Sequence, residues 1–469
     1  MKKIIYILAA TFMGLGLQSC TKNIDLHPTD IIDTTRAFLT LSDVDKGVIG
    51  GYAGWSAENS MYVGAIMSDE VRWGKDNSGR NYGMLHKWSF SSSDGDAAGA
   101  WSSLYVVIDR VNHVLADIDS VPALNANQQA TKKRLKGEAL AIRAFAHFEL
   151  FRWYSQDYTP SSLSVPVMLR SIVSTPSRNT VQEVLAQVNK DLADAKALIP
   201  ATFKDISRIT NIAVVAEQAK VALYSKDWKN AADYATAVIN QVPLITIDKF
   251  PNLWTDQDST EVLFWLKHTS QGDVTTLWTD NNGQVFFSPS FKLMALYDQT
   301  NDVRYNSYFY FGNWGGWAEN WLVNKFSGQN SVNYFNNVKV LRVSEMYLIR
   351  AEALAELNDI PNGTKDLNTL RAQRISGYTD QTFASKDNLI TAVMEERFKE
   401  LFLEGNRYFD LRRRNLPINR APEDVNPNNT GTGDIMQNLN PTDFRYILPV
   451  PQDEIFANKN IVQNKGYNN

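Results

Sequence analysis

The chain has 469 residues, 44% of them hydrophobic, which suffices for a large core because the buried fraction of a protein's surface grows with length. Its formal net charge of −4 argues against a nucleic-acid partner, since that binding rests on cationic side chains that neutralise phosphates. One cysteine excludes internal disulfides, while 12 Trp and 19 Tyr make aromatic rings the unusual feature of the composition.

Lys2 and Lys3 precede an apolar stretch from Ile4 to Leu17, the pattern of a secretory signal, which would occupy residues 1–19. A helical membrane crossing needs about 20 apolar residues, and this run is shorter and interrupted by Gly14 and Gly16. Leu17-Gln18-Ser19-Cys20 reads as a bacterial lipobox, with Cys20 as the acylated new N-terminus. The alternative is an ordinary signal peptide followed by an incidental cysteine. Each buried acyl methylene adds about 0.8 kcal/mol, so two or three chains hold a protein firmly on a membrane. Residues 20–40 then form a polar tether, and residues 41–469 a single domain.

Apolar residues at three- and four-residue steps predict a helix from Trp101 to Leu115, with Ser93 or Asp94 near its start. An Ala- and Phe-rich segment from Lys136 to Tyr154 repeats the period and must end before Pro160. Ala216 to Pro243 reads as two antiparallel helices around a Lys226-Asp227-Trp228 turn, in the manner of a tetratricopeptide unit. A second such pair surrounds Asn358-Asp359. The units do not recur at a fixed interval, so a regular solenoid is excluded, although a generic helical bundle stays open. The expected fold is mainly α. Helix pairs at about 101–156, 180–243 and 341–404 pack against a loop-rich half, built from insertions at about 57–95, 244–340 and 413–445 with a few short strands. The strands are expected at Glu261 to Lys267 and Val338 to Val343. Trp101, Trp228 and Trp265 fall on periodic faces or in a strand and are assigned to the core.

Four segments together resemble the SusD/RagB family of Bacteroidetes outer-membrane lipoproteins. They are the lipobox; Val343 to Ala353 with Leu367-Asn368 and Leu370-Arg371; Glu396-Arg397, Glu400-Leu401, Glu404-Gly405, Arg407 and Asp410-Leu411-Arg412; and Leu448 to Ile455 with Asn464 and Gly466-Tyr467. The resemblance implies tetratricopeptide-like helices packed on an irregular half. It also implies a cell-surface role: capture of a glycan and delivery to a TonB-dependent (SusC-like) outer-membrane transporter. Some relatives take oligopeptides instead. One departure concerns sorting to the outer face: acidic residues often follow the cysteine in exported relatives, and only Asp25 does so here.

Within the third motif, Glu396, Glu400 and Glu404 share a helical face where Arg397 and Arg407 are expected as short-range ion-pair partners, with Gly405 as a left-handed cap. Arg412-Arg413-Arg414 reads as a solvated or paired run.

No catalytic or metal-binding constellation stands out. His27, His86, His113, His147 and His268 are scattered, and Gly-x-Ser-x-Gly is absent. Asp94-Gly95-Asp96 and Asp256-Gln257-Asp258 lack the acidic residue that would complete a calcium loop, and read as caps or turns. Neither cofactor nor metal is implied. A paired-carboxylate glycoside hydrolase stays open, because the separation of two acids is a three-dimensional property. Sugars need exposed aromatic planes beside polar side chains, and two segments offer both. The first supplies Asp69, Arg72, Trp73, Asn77 and Tyr82, in a stretch where the family often places glycan contacts. The second supplies Trp278, Asn281, Trp314 and Trp317, the last two set among glycines that favour display over packing.

Overall fold

The structure is a computed structural model that describes residues 37–79, 82–268, 278–279, 283–312, 316–326, 328, 336–425 and 435–467. The signal segment, Cys20 and most of the tether lie outside these residues.

The helical layer starts at α1 (Leu41–Gly54), where the Thr40 hydroxyl accepts from the Asp43 N–H and the Asp43 carboxylate accepts from the Thr40 N–H. α2 (Ala57–Met67) follows, then α3 (Gly95–Asp117), capped by Asp94, and α4 (Ala126–Tyr154), capped by Asn125. Asp94 is therefore a helix cap and not part of a cation loop. From Leu135 onward nearly every residue of α4 is buried, because the helix is covered by α3 and α1 on one side and by α5 (Val181–Leu198) on the other. A buried Arg143–Asp191 pair, with two N–H···O bonds of 2.8 Å, joins α4 to α5.

α6 (Asn211–Tyr224) and α7 (Trp228–Ile239) form the first expected helix pair, and α8 (Val343–Glu356) and α9 (Ile360–Ala372) the second. Both turns use one device. Lys226 and Asn358 take left-handed conformations (φ 56° and 65°), and the aspartate that follows each, Asp227 or Asp359, caps the next helix. Gly363 lets the second pair close, since a Cβ there would lie 2.8 Å from the Ala351 carbonyl oxygen.

The layer is continuous in space although the chain is not. α8 packs on α7 after the long excursion through residues 240–342, and α10 (Lys386–Glu400) packs on α8 and α9. α11 (Arg407–Arg413) then leads away from α10. Trp101 is fully buried, whereas Trp228 and Trp265 are half-buried against the same core.

The excursion and the N-terminal insertion contribute short antiparallel strand pairs. β1 (Val71–Trp73) pairs with β3 (Phe287–Pro289), and β2 (Val262–Leu266) with β6 (Val338–Arg342). β4 (Phe309–Phe311) pairs with β5 (Trp321–Val323), and β7 (Ile418–Asn419) with β8 (Asn438–Leu439). Asp256 lies in a turn and binds the Asn337 N–H and the Lys339 ammonium, so the second Asp-x-Asp segment is structural as well.

The charged motif at the end of α10 differs from its short-range expectation. Glu396 binds Arg304 and Arg371, Glu400 binds Arg304, Arg342 and Arg374, and Glu404 binds Arg342 and Lys325. Arg397 pairs with Asp410, and Arg407 with Asp69. Sequence neighbours on one helix face are thus divided among partners from distant segments, because the face is buried against the loop-rich half instead of facing water. Gly405 is left-handed as expected (φ 71°), but α10 has ended five residues earlier, at Glu400. Gly405 instead lies against the Ser60–Met61 backbone, with a projected Cβ 3.2 Å from the Ser60 carbonyl. The triple-arginine run is paired: Arg413 with Glu352 and Asp410, Arg414 with Glu356, and Arg412 with backbone carbonyls.

Glu400→Ala leaves three buried guanidinium groups without their shared carboxylate. A loss of about 3–5 kcal/mol is expected, measurable by urea unfolding of the soluble domain, and a change within error would show that the network contributes little.

Candidate functional site

The two sequence segments nominated for binding meet in space, and carboxylates hold them together. β1 enters the loop-rich half beside β3, and Gly74 follows where no side chain fits, since a Cβ would lie 2.3 Å from the Val285 carbonyl oxygen. The Asp76 carboxylate accepts from the backbone N–H groups of Val285 (3.3 Å) and Ala318 (2.9 Å), and so ties the 74–79 loop both to the segment leading into β3 and to the turn between β4 and β5. Arg72 and Glu319 form a buried two-bond pair at 2.8 Å each, with Arg72 also 4.3 Å over the ring of Phe291. Asn77 donates to the Phe286 carbonyl and accepts from the Gly79 N–H.

These contacts correct the expectation of displayed side chains at five positions. Trp73 is 0% exposed, and its indole N–H donates to the Asn77 carbonyl at 2.8 Å. Trp278 is 1% exposed and meets Tyr62 edge to face at 5.7 Å between centroids. Asp69, Arg72 and Asn77 are also buried and hydrogen-bonded to the protein itself, with only the Arg72 Nε left without an acceptor. The reason is common to all five: an insertion with little regular structure needs its own core, and large rings and internally paired polar groups supply it, although the Trp278 indole N–H finds no acceptor among the described residues.

Tyr82 is half-buried in a left-handed conformation (φ 56°), with its ring 6.0 Å from Tyr62. Asn281 and Trp314 lie outside the described residues. Trp317 is different. It is 36% exposed, in the turn of the β4–β5 hairpin, next to Gly316 at φ 81°.

The hairpin also presents two rings that sequence reasoning missed. Tyr310 is 54% exposed and Phe311 is 62% exposed, with Phe311 braced by Trp321 at a centroid distance of 4.9 Å. Gly312 allows the Tyr310 ring to fold back over the backbone, since a Cβ would come within 2.5 Å of that ring. Consecutive rings in Phe309-Tyr310-Phe311 were the available signal, because a short hairpin exposes part of such a run. Half-buried Lys75, Asp76 and Gln284 border this region with polar groups. The arrangement offers flat apolar surfaces beside donors and acceptors, which suits a ring-shaped polar ligand. Among the described residues no group of His, Cys, Asp and Glu gathers as a metal site, and no helix is long and apolar enough to cross a membrane.

Beneath this region two adjacent acids have opposite fates. Burial works against the charge of Asp69, but Arg407 and Lys292 hold its carboxyl down at about 2. Neither oxygen of Glu70 meets a donor at hydrogen-bonding geometry, and burial pushes its carboxyl up to about 8 against the pull of Lys325 and Arg407.

Two family models match separate parts of the chain. The SusD family model covers residues 269–467, and a SusD-like model described as starch-binding and associating with the outer membrane covers residues 30–223. The chain belongs to the SusD family. This SusD-family chain is 24% identical to SusD-like protein P2 of Formosa agariphila over 100% of both chains. It is also similar to a crystallised SusD superfamily protein of Bacteroides thetaiotaomicron, at a TM-score of 0.79 and 26% identity over 91% of this chain and 99% of that one. A laminarin-binding SusD-like protein shares the fold, with a TM-score of 0.72 and 20% identity over 92% of this chain and 100% of the other. The expected mainly helical fold and the family resemblance are both borne out. The model over residues 30–223 associates this part of the chain with starch-binding proteins of the outer membrane.

Two outcomes follow from the site's construction. Trp73→Ala empties a fully buried volume and is expected to cost about 3–5 kcal/mol in denaturant unfolding; an unchanged midpoint would return Trp73 to the surface. Glu70 has an ordinary value of 4.5 and a folded value of about 8, so the folded state retains a proton that the unfolded chain releases, and stability falls as pH rises between the two. Glu70→Gln removes this dependence. The melting temperature of the variant relative to the parent should therefore rise steadily from pH 5 to pH 8, whereas parallel curves would contradict the assignment.

Proposed function

We propose that this chain is a surface lipoprotein, acylated at Cys20, that captures a glycan on its β4–β5 hairpin and delivers it to a partner TonB-dependent transporter. The observation that carries the reading is that one hairpin, tied down by Asp76 and Glu319, exposes three large rings, Tyr310, Phe311 and Trp317. A soluble protein gains nothing in stability by leaving three large rings in water, and exposed aromatic patches characterise interaction surfaces. Pyranose rings present C–H faces that stack on such planes, and the half-buried side chains of Lys75 and Gln284 are offered as partners for ring hydroxyls. The laminarin-binding neighbour of the same fold supports a polysaccharide ligand. Asn281 and Trp314 belong by sequence to the adjoining segments and extend the proposed site. The protein acts by binding and handover, and no bond of the ligand is broken.

Isothermal calorimetry of the soluble domain against a panel that includes laminarin, starch and casein-derived peptides tests this function. One or more glycans should bind, and Trp317→Ala and Phe311→Ala should each weaken binding roughly tenfold, about 1.4 kcal/mol, with the melting temperature unchanged. Binding of peptides and no glycan would establish oligopeptide capture, and release of reducing sugar would establish a hydrolase.

A further inference from the structure

A second concavity lies in the helical layer, at the turn between α6 and α7. It has a volume of about 320 Å³ and is walled by Tyr158, Tyr224, Trp228, Lys226 and the Arg412–Arg414 run. None of its lining residues belongs to the β4–β5 hairpin. Ligand pockets span about 300–1,000 Å³, so this one has room for a single sugar unit or a molecule of similar size.

Its charges are unevenly matched. Arg413 is neutralised by Glu352 and Asp410, and the Arg414 Nη1 donates to Glu356 at 2.5 Å. Among the described residues Arg412 has no carboxylate at salt-bridge distance, and Asp157 attracts it only from farther away. Its Nη atoms donate to the backbone carbonyls of Arg152, Trp153 and Ser155, and its guanidinium carbon stands 4.6 Å over the ring of Tyr158. Lys226 is exposed, also without an ion pair among the described residues, and its left-handed backbone (φ 56°) fixes the base of its side chain at the rim. The opposing carboxylate of the wall, Asp157, is already engaged by the Thr159 N–H and hydroxyl at 2.7 and 2.6 Å.

Two buried donors of Arg414 have no hydrogen-bond acceptor among the described residues: Nε, which still stands 2.9 Å from a Glu352 carboxylate oxygen, and Nη2, which has no ion-pair partner there either; the guanidinium is 5.9 Å from the half-buried Trp228 ring. An unpaired buried N–H of a charged group is costly and signals a missing acceptor. Cationic side chains, an unused guanidinium donor and an aromatic plane together suit a ligand with an anionic end and an apolar ring face.

We propose that this cleft is a second ligand site, specific for a sugar acid. The pyranose face rests on Trp228, and the carboxylate lies toward Lys226, Arg412 and the free donor of Arg414. The site is independent of the glycan reading of the hairpin, and either can fail without the other.

The full soluble domain is titrated by calorimetry or ligand-observed NMR with glucuronate, glucose and acetate. Glucuronate should bind more tightly than either comparison compound, and added salt should weaken it. Lys226→Asn removes the charge but tolerates the left-handed backbone, so the variant should melt as the parent does and bind glucuronate roughly tenfold more weakly. Trp228→Ala should bring glucuronate down to the affinity of acetate, and Trp317→Ala should leave glucuronate binding unchanged. Absence of glucuronate binding, equal binding of glucose or of acetate by the parent, or an unaltered affinity in Lys226→Asn would each overturn the proposal.

Discussion

The two halves of this protein are joined by a buried ionic lattice centred on Glu400. That carboxylate lies at the last turn of α10 and binds Arg304, Arg342 and Arg374, which come from the loop-rich excursion, from the strand preceding α8 and from the segment after α9. Glu261 accepts from Arg342 and Arg374, and Glu396 and Glu404 extend the lattice to Arg371 and Lys325. Removing ions from water is expensive, and attraction offsets that cost only when every member is matched. Here the matching is nearly complete, and the carboxyl groups of Glu396 and Glu400 are held well below their ordinary range by the surrounding guanidiniums, against burial.

Such a lattice suits the architecture. Among the described residues of the excursion from 240 to 342 the strands are short, so strand pairing is only part of what positions it. Charge pairs with defined geometry do so too, and apolar contacts alone would not select one register of loop against helix. Lys325 shows how far this goes: its ammonium lies 4.4 Å over Trp254 and 4.2 Å over Tyr308 while binding Glu404 at 2.7 Å, and burial lowers it to about 8. The hairpin that carries Tyr310, Phe311 and Trp317 begins just after the Arg304 helix turn and ends just before Lys325. The exposed rings are thus presented from a segment anchored at both ends in the ionic core.

The helical layer was readable because its signals are local. Period-3.6 apolar patterning, Asp and Thr caps and the paired Lys226-Asp227 and Asn358-Asp359 turns each depend on residues a few positions apart. The loop-rich half was less legible. The sequence nominated Asp69 to Tyr82 and, as a second segment, Trp278 to Asn282 with Gly312 to Trp317, and the structure ties the first to residues bordering the second. It was the facing of individual side chains that sequence could not supply: Trp73 and Trp278 have the composition of display sites but meet chain about two hundred residues away, Trp73 against β3 and Trp278 against Tyr62 of α2. Tyr310 and Phe311 show the converse, apolar residues left exposed because their hairpin lies at the edge of the fold.

By itself the sequence determined the helix pairs, their turns, the family and the general nature of the chain, since periodicity, capping and motif order are properties of neighbouring residues. Only the tertiary structure decided which rings face water and which acid meets which arginine. Those choices depend on how distant segments pack: the same Glu400 that reads as an i, i+3 partner on an isolated helix becomes the hub of three remote guanidiniums once that face is closed off from solvent.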